Sequence, residues 1–137
     1  MARDNIILPF EAISLPPSIT VPIGFEAFCS ASELIGDPVV MSLTLDKTVE
    51  RITTNVYSQL VVGIINEKPT PTTCVVIVMG ILDGIAAGLT RGDALWVSPT
   101  GGITTTRPVT GHLQGLGIAV AGTDIIVSIE QNKVIFS

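Results

Sequence analysis

Thr72-Thr73-Cys74-Val75-Val76-Ile77-Val78-Met79 is the stretch that decides the fold. It is rich in β-branched residues, whose stiff side chains suit a pleated strand better than a helix. It is apolar on both faces, so it reads as a strand buried from two sides rather than one that alternates between core and water. Its apolar core, Cys74 to Met79, is far too short to cross a bilayer.

Working outward, the same kind of segment recurs. Leu60-Val61-Val62-Gly63-Ile64-Ile65 reads as a second buried strand, and its glycine marks a bulge or a close backbone approach. Val39 to Leu45 and Val49 to Thr54 precede it. Asp83-Gly84 is a turn pair, followed by a strand at Ala94 to Ser98, a turn at Pro99-Thr100-Gly101-Gly102 and a short polar strand at Ile103 to Thr106. Leu116 to Val120 and Ile125 to Glu130 flank the turn Gly122-Thr123-Asp124, and Val134-Ile135-Phe136 is placed at an edge. Strands spaced by 8–12 residues and split by Gly, Pro, Asp and Asn are the pattern of an all-β fold, a small β-barrel or sandwich. Ile23 to Leu34 has a weak helical look, with Ala27, Ala31 and Leu34 near one face. The strand reading, Phe25 to Ser30, is preferred. Residues 23–137 are expected to form the single domain.

Residues 1–22 differ from the rest. They hold Pro9, Pro16, Pro17 and Pro22, four of the chain's nine prolines. Proline bars a helix interior and pushes the preceding residue toward extended geometry. The segment is therefore expected to be an extended arm. It carries Ile6, Ile7, Leu8, Phe10, Ile13, Leu15, Ile19 and Val21, more apolar side chain than a solvated tail would have. Two readings stand: a docking arm that lies on another chain, or a first strand and loop wrapped around its own core.

Composition narrows the function. Only 14% of the 137 residues are charged, against the ~25% of an ordinary soluble domain. Some of the surface is therefore expected to be covered by another chain. The net charge of −5 and the scattering of seven basic residues argue against nucleic acid, whose phosphates need clustered Lys and Arg. An anionic membrane is excluded as a partner on the same ground. The start, Met-Ala-Arg-Asp-Asn, lacks the apolar run of a signal peptide, and none is expected. Cys29 and Cys74 match no metal spacing and read as small buried hydrophobes, with a disulfide between them left open.

Catalytic chemistry finds little to work with. His112 is the sole histidine, in Thr110-Gly111-His112-Leu113-Gln114-Gly115, and is expected in a loop or interface. The twelve carboxylates are separated, mostly beside Gly or Pro, where Asp bonds its own backbone in turns. Gly80 to Gly84 and Gly111 to Gly117 lack the Lys-Ser or Lys-Thr ending of a phosphate loop and read as β-turns and bulges. Arg91-Gly92-Asp93 is an adhesion-type tripeptide, but it leads straight into a strand and reads as a turn. No catalytic residue, cofactor or metal is expected, and the chain is read as a non-enzyme.

Gly88-Leu89-Thr90-Arg91-Gly92-Asp93, the strand that follows, Gly101-Gly102 and Leu116-Gly117-Ile118-Ala119-Val120 together resemble a small β-barrel module of tailed-bacteriophage structural proteins. That module recurs in head decoration (cement) proteins and in tail-fibre or spike segments. The likeness covers about half the chain, Val61 to Glu130, and rests on turns and strands.

The resemblance implies a virion protein made in the host bacterial cytoplasm. It would sit on the capsid surface, bind the major capsid protein and cement neighbouring subunits, commonly as a homotrimer. The apolar arm supplies the expected partner contacts: Ile6, Ile7, Leu8, Phe10, Ile13 and Leu15, with Phe25 and Phe28 after them. A tail-fibre, spike or baseplate component is the alternative, and a small-ligand-binding β-barrel is the second.

Overall fold

The computed structural model describes residues 22–53, 59–98, 100–109, 111–130 and 134–136. The both-faced run becomes β5 (Thr73–Leu82), the longest strand. Before it come β1 (Ile23–Phe28), β2 (Pro38–Met41), β3 (Val49–Arg51) and β4 (Gly63–Thr70). After it come β6 (Ala94–Val97), β7 (Ile103–Thr104), β8 (Gly111–Leu113), β9 (Gly115–Ala119), β10 (Ile125–Ser128) and β11 (Val134–Phe136). The protein is all-β, with no helix among the described residues.

Nine strands form one antiparallel sheet, ordered β3-β2-β4-β5-β10-β9-β6-β7, with β1 also paired to β5. β8 and β11 form a separate two-stranded ladder. Met79 pairs with both Ile23 and Ser128. A strand residue has two edges, so β1 lies along one edge of β5, and β4 followed by β10 along the other. The sheet curls on itself. The Phe28 N–H donates to the Lys47 carbonyl at 2.8 Å, and Phe28 bridges Thr48, which returns the end of β1 to the start of β3.

The curl explains why the deciding run is apolar on both faces. Alternate residues of β2, β4 and β5 enter two different cores. Val39, Ile65 and Val76 join Ala27, Cys29, Val49 and Cys74 in one. Val40, Ile64 and Ile77 join Ile52, Leu95, Leu116, Ile125 and Val127 in the other. Over these residues the three strands are a shared wall with both faces covered. Each Val or Ile fully buried there contributes roughly 1.5–3 kcal/mol.

Gly63 is a close approach, not a bulge. A Cβ there would lie 2.5 Å from Val76 Cγ1 and 2.7 Å from the Ile77 carbonyl oxygen. The irregular register of this hairpin falls later, between Ile65 and Glu67 and between Glu67 and Thr70.

Several expected boundaries move. β4 runs on through Glu67-Lys68-Pro69-Thr70, because the tight turn at Pro71-Thr72 keeps these polar residues paired to β5. The strand expected to reach Leu45 stops at Met41. The Ser42 hydroxyl there accepts the N–H groups of Thr44 (3.2 Å) and Leu45 (3.1 Å), diverting the backbone into a turn. The strand from Ile103 likewise stops at Thr104, whose hydroxyl accepts the Thr106 N–H at 3.1 Å. The glycine-rich stretch 111–117, expected to be turns and bulges, forms β8 and most of β9 in place of turns, and its register against β6 is irregular where Gly115 to Gly117 face Leu95 and Trp96.

The turns at Gly92-Asp93 and Gly101-Gly102 stand where expected. Gly92, Gly101 and Gly102 all have positive φ, which glycine adopts without a Cβ penalty. The expected arm, residues 1–22, lies outside the described residues except for Pro22.

Candidate partner-binding surface

Of the expected contacts, Ile6, Ile7, Leu8, Phe10, Ile13 and Leu15 lie outside the described residues. Phe25 and Phe28 are placed, both on β1. In that strand only Ala27 is buried, because β1 borders the curled sheet and covers one core along a single row. Phe28 is 54% exposed and Phe25 37%. Phe28 lines a groove of about 430 Å³ with Lys47, Pro69, Thr73 and Cys74. Apart from its contact with Lys47 and Thr48, the outer edge of β1 meets no described strand.

Two neighbouring loops add apolar side chains that the sequence reading did not single out. Leu34 and Ile35 stand exposed on the loop after β1, and Leu43 (83% exposed) and Leu45 on the turn between β2 and β3. Their display is built by polar residues. Glu33 is only 6% exposed. Its Oε1 accepts the Ser30 N–H at 2.7 Å and the Ser30 hydroxyl at 2.8 Å, and its Oε2 accepts the Ser32 hydroxyl at 3.1 Å. The Arg51 N–H reaches the same oxygen at 3.4 Å.

Burial alone would raise the Glu33 pKa. The hydrogen bonds from Ser30, Arg51 and Ser32 outweigh it, and the carboxyl is held below its ordinary value. Lys68 Nζ clamps the same loop, donating to the Ser30 carbonyl at 2.8 Å and the Glu33 carbonyl at 2.6 Å. Asp37 accepts the Leu34 N–H at 2.9 Å and lies 3.6 Å from Arg51 Nε. Leu34 and Ile35 are thus carried on a fixed loop. The sequence signal was Ser30 followed three residues on by Glu33, a spacing that lets the carboxylate turn back to accept the Ser30 N–H and hydroxyl.

Other singled-out residues are dispersed. Cys29 and Cys74 are buried free thiols in one core. Burial and the neighbouring Cys29 push the Cys74 thiol up to about 12. His112 sits in a strand rather than a loop, paired with Ile135. Asp124 is a turn acid of the expected kind. Its Oδ1 accepts the Gly84 N–H at 2.7 Å and the Thr123 hydroxyl at 2.9 Å, which lowers its pKa. Arg91-Gly92-Asp93 forms a turn, the Asp93 N–H bonding the Thr90 carbonyl at 3.0 Å. No three His, Cys, Asp or Glu side chains among the described residues stand close enough to share a metal ion.

The chemistry this surface offers is contact: exposed aromatic and aliphatic side chains on loops around a strand edge that no strand among the described residues pairs. Comparison with protein-family models, with curated proteins and with solved structures gave no match.

Proposed function

We propose that the protein is a structural docking module that binds other protein subunits, without catalysis, through the β1 end of its barrel. The observation that carries this reading is the set of exposed apolar side chains at the β1 end: Phe28 and Phe25 on opposite faces of the strand, and Leu34, Ile35, Leu43 and Leu45 on the loops after β1 and between β2 and β3. A large apolar patch on a small domain marks an interaction site. Aromatic anchors surrounded by polar residues are the usual composition of such a site. The outer edge of β1, which no strand among the described residues pairs, can also accept an extended segment from a partner by strand addition.

The setting we propose is the outside of a bacteriophage head, where the chain would join neighbouring major capsid subunits, with a trimer as its working form. What supports this setting is the resemblance of the Gly88 to Gly102 and Leu116 to Val120 segments to the phage β-barrel module. The apolar segment that precedes β1 in the sequence supports it too, offering Ile6, Ile7, Leu8, Phe10 and Ile13 as further contacts in addition to Phe25 and Phe28. Burying such surface contributes roughly 25 cal/mol per Å² before ordering costs are subtracted.

The test is co-sedimentation of the purified protein with undecorated phage heads and, separately, with isolated tails. Pelleting with heads alone is the expected result. Pelleting with tails alone moves the protein to the fibre or baseplate. Pelleting with neither overturns the virion setting.

A further inference from the structure

A second apolar surface lies away from the β1 end, across the outer face of the sheet. Leu82, Ile125, Val127 and Ala119 point into the core. By strand alternation their neighbours Ile81, Ile126 and Ile118 point outward. These three are directly paired, Ile81 with Ile126 and Ile126 with Ile118, and Ile118 pairs in turn with Ala94. One step along β5, Met79 pairs with Ile23. The result is an uncharged stripe crossing β1, β5, β10, β9 and β6, with Met79 53% and Ile118 49% exposed.

We infer that residues 15–21 of the same chain are the cover for this stripe. The chain enters the described structure at Pro22. Pro22 leads directly into Ile23, whose pairing with Met79 forms the β1 end of the stripe. The arm therefore starts at one end of the stripe. Crossing five strands means covering four inter-strand spacings, about 19 Å. Seven extended residues reach about 23 Å.

The composition fits the seat. Between Glu11 and Glu26 no residue is charged, and Leu15, Ile19 and Val21 supply apolar side chains. Pro16 and Pro17 keep the segment extended and remove two backbone donors, so it suits lying across side chains better than joining a ladder. Tethering at Pro22 gives the segment an effective concentration on the order of millimolar, ahead of any second copy in dilute solution. Ile6, Ile7, Leu8 and Phe10 stay beyond the stripe, so the inference holds whatever partner they reach.

The experiment places a nitroxide on Ser18→Cys in the full chain, with mass spectrometry verifying that the buried Cys29 and Cys74 stay unlabelled. Methyl signals of Ile118 and Ile126 should lose intensity several-fold relative to those of Val39 and Val49 in the other core. Equal intensities would overturn the inference. So would a loss seen only when nitroxide-bearing and isotope-labelled chains are mixed, since a second copy would then be the occupant. Introducing Ile118→Lys with Ile126→Lys should restore the Ile81 methyl signal, and an Ile81 signal that stays quenched would also overturn it.

Discussion

Gln114 and Val61, fifty-three residues apart, exchange two hydrogen bonds: the Val61 N–H donates to Gln114 Oε1 at 2.8 Å, and Gln114 Nε2 donates to the Val61 carbonyl at 2.9 Å. Gln114 Nε2 also reaches the Glu130 carbonyl at 2.9 Å. A buried side-chain amide thus does the work of a strand partner, joining the chain before β4 to the junction of β8 and β9. Replacing it with leucine leaves the Val61 N–H and carbonyl buried without partners. Each such group costs about 1–3 kcal/mol, so Gln114→Leu should lower the urea midpoint sharply. A midpoint within error of the parent would show that water takes over both bonds.

Glu33 should give a pH-dependent contribution to stability. Its folded-state pKa lies below the ordinary value of 4.5. A depressed carboxylate stabilises the fold above the unfolded pKa, and that contribution fades as pH falls from about 4.5 through the folded pKa. Hydrogen bonds to a charged group are worth about 1.5–3 kcal/mol, so Glu33→Gln should destabilise by at least 1 kcal/mol at pH 7. The gap between parent and variant should narrow below pH 4.5. Denaturation curves at several pH values check this, and a gap that stays constant would contradict it.

Gly63→Ala tests the shared wall. The added methyl meets Val76 Cγ1 and the Ile77 carbonyl, neither of which has space to retreat between two filled cores. Overpacking of this kind costs about 1–3 kcal/mol, and the thermal midpoint should fall by several degrees.

The wall was legible because burial on both faces leaves its mark in the residues themselves. Cys74 to Ile77 and Leu60 to Ile65 carry no polar alternation, and a strand between two apolar layers needs none. Turns were legible where glycine is required, at Gly92 and at Gly101-Gly102, since positive φ is written into residue type. The ends of strands were not. Ser42 and Thr104 stop theirs through side-chain bonds to the backbone, and both residues also occur inside strands. β8 was missed because Gly111 has no side chain to pattern and its partner β11 lies more than twenty residues away. Phe25 and Phe28 were readable as surface candidates. Leu34, Ile35, Leu43 and Leu45 were not, because an apolar residue beside a turn looks the same whether it folds inward or is held out by a carboxylate such as Glu33.

The thiols should be silent in the folded protein. Cys74 is buried and its pKa stands at about 12, so the reactive thiolate is scarce at pH 8. Iodoacetamide should modify neither cysteine in native buffer over an hour and both in denaturant, read by mass. Rapid native modification of Cys74 would mean that β1 opens from β5 far more readily than its ladder of six paired residues suggests.

The claim that the β1 end docks on protein subunits is tested most directly by pelleting undecorated phage heads with the parent and with Phe25→Ser plus Phe28→Ser. Neither ring belongs to the buried clusters, so the double variant should unfold at nearly the parent's urea midpoint. The account predicts that the parent pellets with heads and that the folded double variant loses at least tenfold in affinity, about 1.4 kcal/mol. Equal pelleting of parent and variant, or none by either, would contradict it.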